Sequence, residues 1–469
     1  MHRQEIQRCD RLELERWQLE RLNALLETVL PDNRYYRDLF GCDRLAIRSL
    51  ADWSRMPTST KSDWLNDQAS GLALHHTYPQ SMYRRYHRTS GTRGKPMVIL
   101  DTENDWKWWL STWQYVLDAC EMQASDRIMM AFSFGPFIGF WSAHDACLQR
   151  GCMVIPCGGM STAARLDMIQ SAEPTVLFST PSYALHLAED ADNRGLDLTR
   201  SSIRQVFVAG ERGGSDPAIR SRIEAAFGAR VMDHAGATEV GPWGFGSRDG
   251  QAMHVIESEF IAEFLPVEHL ENNASSHLNH ALGDGVFELV LTSLGRQGAP
   301  VLRYRTGDLV RPAYRKDGDC NFVRLEGGVL GRADDMLVVR GVNIFPSSIE
   351  AIVHSFPEVK EYRLLVTKRG SMDELTLEIE TADDRPPDTL LDLPKSGLPI
   401  LGLPVLGLPV LGLPESGLSE SGLSESGLSE SGLSEKLAVQ LNLRFVVKRV
   451  PKGALPRSEG KARRVIDQR

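Results

Sequence analysis

Long hydrophobic runs are missing from this chain. No stretch of about 18 consecutive apolar residues, the length a bilayer requires, occurs in its 469 residues, so no membrane-spanning helix and no membrane partner are expected. The opening residues place Arg3, Glu5, Arg8, Asp10, Arg11 and Glu13 where a secretory signal needs an apolar core, and the expectation is a cytoplasmic protein. Cysteine is scarce and irregular. The seven at Cys9, Cys42, Cys120, Cys147, Cys152, Cys157 and Cys320 are odd in number and form no CxxC pair. That argues for reduced thiols and against a disulfide framework or a cysteine zinc site. A basic stripe is missing too: the formal net charge is −9, whereas nucleic-acid-binding domains are usually basic, so no nucleic-acid partner is expected. Aromatic residues make up only 7%, which makes a local cluster of rings informative.

What is present is enough length for two or three domains and, at 42% hydrophobic residues, enough apolar material for a sizeable core. From 127 to 234, short apolar runs (Ile128 to Phe132, Met153 to Ile155, Thr175 to Phe178, Val206 to Val208, Val231 to Met232) alternate with amphipathic segments such as Ser182 to Asp192 and Pro217 to Phe227. That βαβ rhythm predicts an α/β fold with a largely parallel sheet covered by helices. In such folds ligands sit beyond the carboxyl ends of the strands. The loops Gly210-Glu211-Arg212-Gly213-Gly214 and His234-Ala235-Gly236 each follow one of these strands.

Several separated segments ask for a phosphorylated partner. Thr89-Ser90-Gly91-Thr92-Arg93-Gly94-Lys95-Pro96 has glycines that permit tight turns with inward amides, and hydroxyls that donate to phosphate oxygens. It is not the common nucleotide P-loop, which needs Ser or Thr after its lysine, where this chain has Pro96. In Gly236-Ala237-Thr238-Glu239-Val240-Gly241, Glu239 is an oxygen ligand suited to a magnesium ion that also keeps waters and takes phosphate oxygens. In Tyr304-Arg305-Thr306-Gly307-Asp308, Asp308 is a short carboxylate able to accept both hydroxyls of a ribose, and in the run from Gly331 to Met336, Arg332 is a permanent cation. Near the C-terminal end, Lys461 follows Gly453-Ala454-Leu455-Pro456-Arg457-Ser458-Glu459-Gly460. A lysine on such a loop has the reach and charge to neutralise a developing phosphate.

In chain order these segments resemble the AMP-forming adenylating enzymes, and within them the phenylacetate-CoA ligase branch. TSGTRGKP, GATEVGP, YRTGDL, GRADDMLVVRGVNIFPSSIE and PKGALPRSEGKARRVID all fit. The resemblance implies a large N-terminal ATP- and carboxylate-binding domain, residues 1–330, and a small mobile α+β C-terminal domain, 331–469. It implies a two-step reaction in which a carboxylate attacks the α-phosphate of ATP to give acyl-AMP and pyrophosphate, and a thiol then displaces AMP. The co-substrates would be ATP with Mg2+ and coenzyme A. By the same resemblance, Thr89, Ser90, Gly91, Thr92, Gly94 and Lys95 hold phosphate, and Gly210, Glu211, His234, Ala235 and Gly236 flank the adenine. Thr238, Glu239 and Lys461 serve the chemistry, with magnesium on Glu239. Asp308 and Arg332 hold the nucleotide, Asp334 is the hinge, and Arg340 and Gly341 admit the thiol. Two departures stand out. Ala235 occupies the place where relatives often stack an aromatic ring on adenine, leaving His234 as a substitute or as a buried structural histidine. Some relatives carry a zinc-binding cysteine after the Thr-Glu motif, near a histidine resembling His254, but Gly246-Ser247-Arg248-Asp249 has none, and no such zinc site is expected.

The acid pocket is read from Phe132, Phe134, Phe137, Phe140 and Trp141 around Gly135, Pro136 and Gly139, a density of rings able to line an apolar slot. The resemblance puts this segment near the acyl group, so an aromatic or bulky apolar acid is preferred; core packing at a strand-to-helix junction is the alternative. Trp106, Trp108, Trp109 and Trp113 have partly helical spacing and read as packing. Residues 396–435 are eight consecutive pentads. A five-residue repeat advances about 140° around a helix, so its leucines form no single stripe. The expectation is a flexible insertion with structure resuming near Leu437. Adenylyl transfer to a cofactor or polysaccharide-pathway substrate, acyl transfer to a carrier protein, and a homodimer remain open. A degenerate scaffold has no need to retain Thr238, Glu239, Asp308, Arg332 and Lys461 together.

Overall fold

Asp10 starts the first long helix by accepting the amide of Glu13 at 2.8 Å, an N-cap that satisfies a donor the helix cannot. The computed structural model describes residues 2–65, 74–89, 96–132, 135–136, 138–267, 285–315, 318, 320–333, 337–339, 342–344, 346–369, 372–381, 430–441, 443–457 and 464–469. Its N-terminal layer holds α1 (Arg3–Arg8), α2 (Arg11–Val29), α3 (Arg34–Phe40), α4 (Leu50–Trp53) and α5 (Lys61–Leu65). Leu22, Leu25, Leu26 and Val29 of α2 recur at helical spacing and are buried. Strands β1 (Tyr83–Arg88) and β2 (Val98–Thr102) pair antiparallel, with Arg88 opposite Val98. The Thr/Ser/Gly-rich segment therefore joins two strands. Thr89 closes its base: its amide donates to the carbonyl of Met97 at 2.9 Å, and its Oγ1 accepts from the Met97 amide at 3.0 Å.

Next come α6 (Glu103–Ala119), β3 (Arg127–Met130), α7 (Ile138–Arg150), β4 (Met153–Pro156), α8 (Thr162–Ala172), β5 (Val176–Ser179), α9 (Pro181–Asn193), β6 (Gln205–Ala209), α10 (Pro217–Phe227) and β7 (Arg230–Ala237). This is the alternation read from the sequence. The four tryptophans of α6 are all buried in the main core, as packing. The nine-stranded sheet continues with β8 (Gly241–Gly246), β9 (Ala252–Val255), β13 (Pro312–Ala313) and β14 (Arg324–Glu326). Its order is β13-β14-β9-β8-β7-β6-β5-β3-β4, parallel from β4 to β7 and antiparallel beyond. The chain goes from β3 to β4 on one side and returns to β5 on the other. That order reversal opens a crevice at the carboxyl ends of β3 and β5. A four-stranded antiparallel sheet, β10 (Phe260–Pro266), β11 (Phe287–Ser293), β12 (Tyr304–Val310) and β15 (Gly331–Arg332), follows in that order.

The last part has its own core. Strands β16 (Leu337–Val339) and β17 (Val342–Ile344) form a hairpin, followed by α11 (Pro346–His354), β18 (Val359–Arg369), β19 (Met372–Thr381), α12 (Glu430–Leu441), β20 (Val446–Arg449) and β21 (Val465–Asp467). The sheet order is β20-β19-β18-β21. Here the pentad expectation needs correction. Helix α12 begins at Glu430, inside the repeat, and Leu433, Leu437 and Leu441 are buried in the core of this part. The residues after the repeat supply leucines four apart, so the final pentad is recruited into a helix although the repeat alone makes no stripe. Residues 396–429 lie outside the described residues. Leu433→Ala is expected to cost about 2–5 kcal/mol in urea unfolding, whereas deletion of 396–429 should leave the midpoint in place; equal effects would contradict the boundary at Glu430.

Candidate active site

Glu239 lies in the turn that follows β7, where the amide of Val240 donates to the carbonyl of Ala237 at 3.1 Å. Its Oε1 accepts from the hydroxyl of Tyr304 at 3.1 Å and lies 3.4 Å from Nζ of Lys61. Both contacts fall on one oxygen, and among the described residues Oε2 has no protein partner. A carboxylate with one open oxygen fits a magnesium ion, which keeps waters and shares phosphate oxygens. Burial pushes the Tyr304 hydroxyl well above its ordinary pKa, and the adjacent Glu239 charge adds to this. Tyr304 is therefore a fixed, neutral donor.

Lys61 and Tyr304 were not read as site residues, and the backbone explains how they meet. The amide of Ser59 donates to the carbonyl of Arg303 at 3.0 Å, and the amide of Arg305 to the carbonyl of Ser59 at 2.8 Å. This bridge carries Lys61 to the start of β12. Arg303, beside it, has φ +46°, a strained value for a side chain with a Cβ; its guanidinium is clamped by Glu263 at 2.9 Å. Trp64 of α5 stacks on Tyr304 with centroids 4.4 Å apart, and His75 stacks on Trp64 at 4.0 Å. One local signal pointed to Lys61. Thr60 and Asp63 form reciprocal caps at the start of α5, and a lysine in a first helical turn opposes the helix dipole. Such a breach of local preference marks a residue placed for another reason.

Asp308 and Arg332 face each other across β12 and β15, with Arg332 Nη1 donating to Asp308 Oδ1 at 2.9 Å. Two motifs read separately thus form one cross-strand pair. Of the phosphate segment, Thr89 is placed as the loop base, while Ser90, Gly91, Thr92, Gly94 and Lys95 lie outside the described residues. Phe137, Asp334, Arg340, Gly341 and Lys461 lie outside them as well. Thr238 is half-buried in the same turn as Glu239, and Gly210 and Gly236 are exposed at the strand ends.

Several residues expected at the ligand make contacts within the protein. Glu211 Oε1 accepts from the Ser182 amide at 2.7 Å and from the Ser182 hydroxyl; it caps the start of α9. Ala235 is a buried core residue. His234 is 7% exposed, its Nδ1 donates to the carbonyl of Gly244 at 2.7 Å, and its ring packs on Trp113 and Phe207. Burial lowers its pKa to about 4. His234 is thus placed as a buried ring held between the core and the Gly244 carbonyl. In the expected acid pocket, Phe140 is buried in the main core and stacks on His144 at 5.7 Å. Trp141 donates to the carbonyl of Gly135 at 2.9 Å. Phe132 is half-buried at the end of β3, beside the crevice, and Gly139 is exposed with nothing within 4 Å of where a Cβ would stand. Among the described residues of this segment, Phe132 is half-buried and Gly139 exposed, while Phe140 is buried.

The family model described as AMP-binding enzyme matches residues 87–258, and that described as AMP-binding enzyme C-terminal domain matches 341–395 and 418–469. The chain is 31% identical to a phenylacetate-coenzyme A ligase of Aromatoleum evansii over 80% of this chain and 83% of that one. It is 32% identical to the Escherichia coli phenylacetate-coenzyme A ligase over 78% and 82%. Among solved structures, 2-hydroxyisobutyryl-CoA ligase in its postadenylation state superposes with a TM-score of 0.81 at 24% identity, covering 99% of this chain and 92% of that one. The same enzyme in its thioesterification state gives 0.66, covering 99% and 91%.

The unfolded chain protonates the His234 imidazole near its ordinary 6.5 and the folded chain only near 4. Its stabilising share, up to about 3 kcal/mol, is complete above the unfolded value and is lost as pH falls towards 4. Neighbouring Asp233, whose pKa burial raises to about 6, acts in the opposite sense in wild type and variant alike. Tm measured from pH 7 to 4.5 should therefore fall more steeply in wild type than in His234→Gln; parallel curves would mean that the imidazole titrates normally.

Proposed function

The chain belongs to the AMP-binding enzymes, in the group of the phenylacetate-coenzyme A ligases, and from this premise we propose that it joins an aromatic or arylacetic acid to coenzyme A. The reaction is ATP-dependent. An acid oxygen bonds to the α-phosphorus, the bond to pyrophosphate breaks, and acyl-AMP forms. The thiol sulfur then bonds to the acyl carbon, the carbon–oxygen bond to AMP breaks, and the thiol proton is lost to solvent.

The observation that carries this reading is the meeting of Glu239, Tyr304 and Lys61 beside the Asp308–Arg332 pair. In this reading Asp308 takes the ribose hydroxyls and Arg332 holds Asp308 in place for them. Glu239, with the phosphates, would hold Mg2+, whose charge would stabilise the departing pyrophosphate. Thr89 sets the base of the phosphate loop, with Ser90, Gly91, Thr92, Gly94 and Lys95 cradling the phosphates. Thr238 adds a neutral donor. Tyr304 keeps the carboxylate of Glu239 oriented. The acid enters the crevice edged by Phe132 and Gly139. Residues 1–330 carry these groups apart from Arg332, which stands just past the boundary, and 331–469 turn at Asp334 to bring Lys461 to the α-phosphate in the first step and the Arg340–Gly341 side to the thiol path in the second.

Acid-dependent exchange of pyrophosphate into ATP, run across aryl, arylacetic and fatty acids, tests the proposal. Exchange is expected with aryl or arylacetic acids and is lost in Glu239→Gln. Lys461→Ala is expected to lower exchange by roughly 100- to 1000-fold, the size of one lost transition-state charge contact, while thioester formation from supplied acyl-AMP persists. Exchange driven only by fatty acids would overturn the acid class, and equal loss of both half-reactions in Lys461→Ala would overturn the one-step lysine.

A further inference from the structure

Arg296 sits on the loop between β11 and β12 and is 0% exposed, as is Asp101 on β2. Arg296 Nε donates to Asp101 Oδ1 at 2.9 Å, and Nη2 lies 2.6 Å from the same oxygen. Trp109 Nε1 donates to that oxygen at 3.1 Å, and the guanidinium lies over the Trp109 ring, 5.4 Å from its centroid. His87 of β1 faces Asp101 Oδ2 at 3.8 Å. Although burial pushes the Asp101 carboxyl up, the Arg296 guanidinium and His87 bring it below its ordinary value. The loop that carries Arg296 is fixed from its other side. Asp105, which caps α6 together with Thr102, accepts the amides of Gln297 at 2.7 Å and Gly298 at 3.1 Å.

The third arm of the guanidinium leaves the ion pair. Nη1 donates to the main-chain carbonyl of Glu239 at 2.8 Å. A buried ion pair is a weak source of stability, since an apolar pair of similar volume often serves as well or better. The arm to Glu239 supplies a reason for this one. Asp101 stands on the strand that leaves the phosphate segment, four residues after Met97, which closes that segment with Thr89. One rigid fork therefore spans the strand behind the phosphate loop and the backbone of the magnesium-holding carboxylate. We propose that Arg296 and Asp101 are positioning residues that set the spacing between β2, just past the Thr89–Met97 closure, and Glu239, and so the Mg2+ dependence of ATP binding and adenylation. The proposal rests on the nucleotide reading of Glu239 given above.

Arg296→Gln alone would leave Asp101 buried without its counter-charge and could fail to fold, so the principal variant is Asp101→Asn with Arg296→Gln, which removes both charges. Arg296→Lys accompanies it: a point charge can pair with Asp101 but cannot also reach the carbonyl of Glu239. ATP binding is followed by titration calorimetry at a series of Mg2+ concentrations, beside pyrophosphate exchange and thioester formation from supplied acyl-AMP. Both variants are expected to raise the Mg2+ concentration for half-maximal ATP binding by ~10- to 100-fold, the usual effect of removing an outer partner of a metal ligand. Exchange should fall to match while thioester formation from supplied acyl-AMP is largely retained. An unchanged Mg2+ midpoint in both variants overturns the proposal. So does a proportional loss in all three assays, which marks a merely structural pair. If wild type binds MgATP but exchanges with no acid, the ligase reading fails while the calorimetric midpoints still decide the positioning role.

Discussion

A guanidinium without access to water joins three parts of the chain that sequence separates widely. Arg296 holds Asp101 on the strand behind the phosphate segment and the backbone of Glu239 in the turn after β7. Breaking such a buried pair by removing one partner typically costs ~3–5 kcal/mol. The penalty falls on the unpaired charge, so the geometry is held by electrostatics as much as by packing. Two glycines flanking Arg296 serve the same end. A Cβ at Gly295 would collide with the ring of Trp108, and one at Gly298 with the carboxylate of Asp105. The loop can lie flat against α6 only without side chains at these places.

From this anchor the site builds outward in order of increasing exposure. The backbone of Glu239 is fixed by a fully buried cation, and its carboxylate is held by the neutral hydroxyl of Tyr304. Lys61 touches it from a side chain that is 39% exposed. Tyr304 is itself held by the stack through Trp64 to His75. A rigid interior thus presents an open carboxylate oxygen at a wetter edge. The Asp308–Arg332 pair, joined across two short strands, sits at the seam where the chain passes towards the C-terminal core.

Much of the fold was legible because its causes are local. Apolar runs of strand length alternating with amphipathic helices led to the parallel sheet, and Pro217 and Pro346 each stand at the first position of a helix. Within the candidate site, Glu239, Asp308 and Arg332 stood out by their motifs, and the structure joins Asp308 and Arg332 as one cross-strand pair. The aromatic run from Phe132 to Trp141 was half-legible. Its rings were visible, but Phe140 turned into the core and Trp141 towards Gly135, because a helix starting at Ile138 points successive side chains in different directions.

The sequence by itself determined the α/β alternation, the glycine-rich segment and the residue types of the motif groups, since periodicity and residue type act over a few positions. It could not determine partners. Lys61 reaches Glu239 across 178 positions and Arg296 across 57, and the packing of His234 on β7 depends on Trp113 from helix α6. The end of the pentads was likewise decided by tertiary structure, where Leu433 is buried in a core that includes β18 and β19. Such choices follow from which polar groups must be satisfied once water is excluded, and only the assembled tertiary structure excludes it.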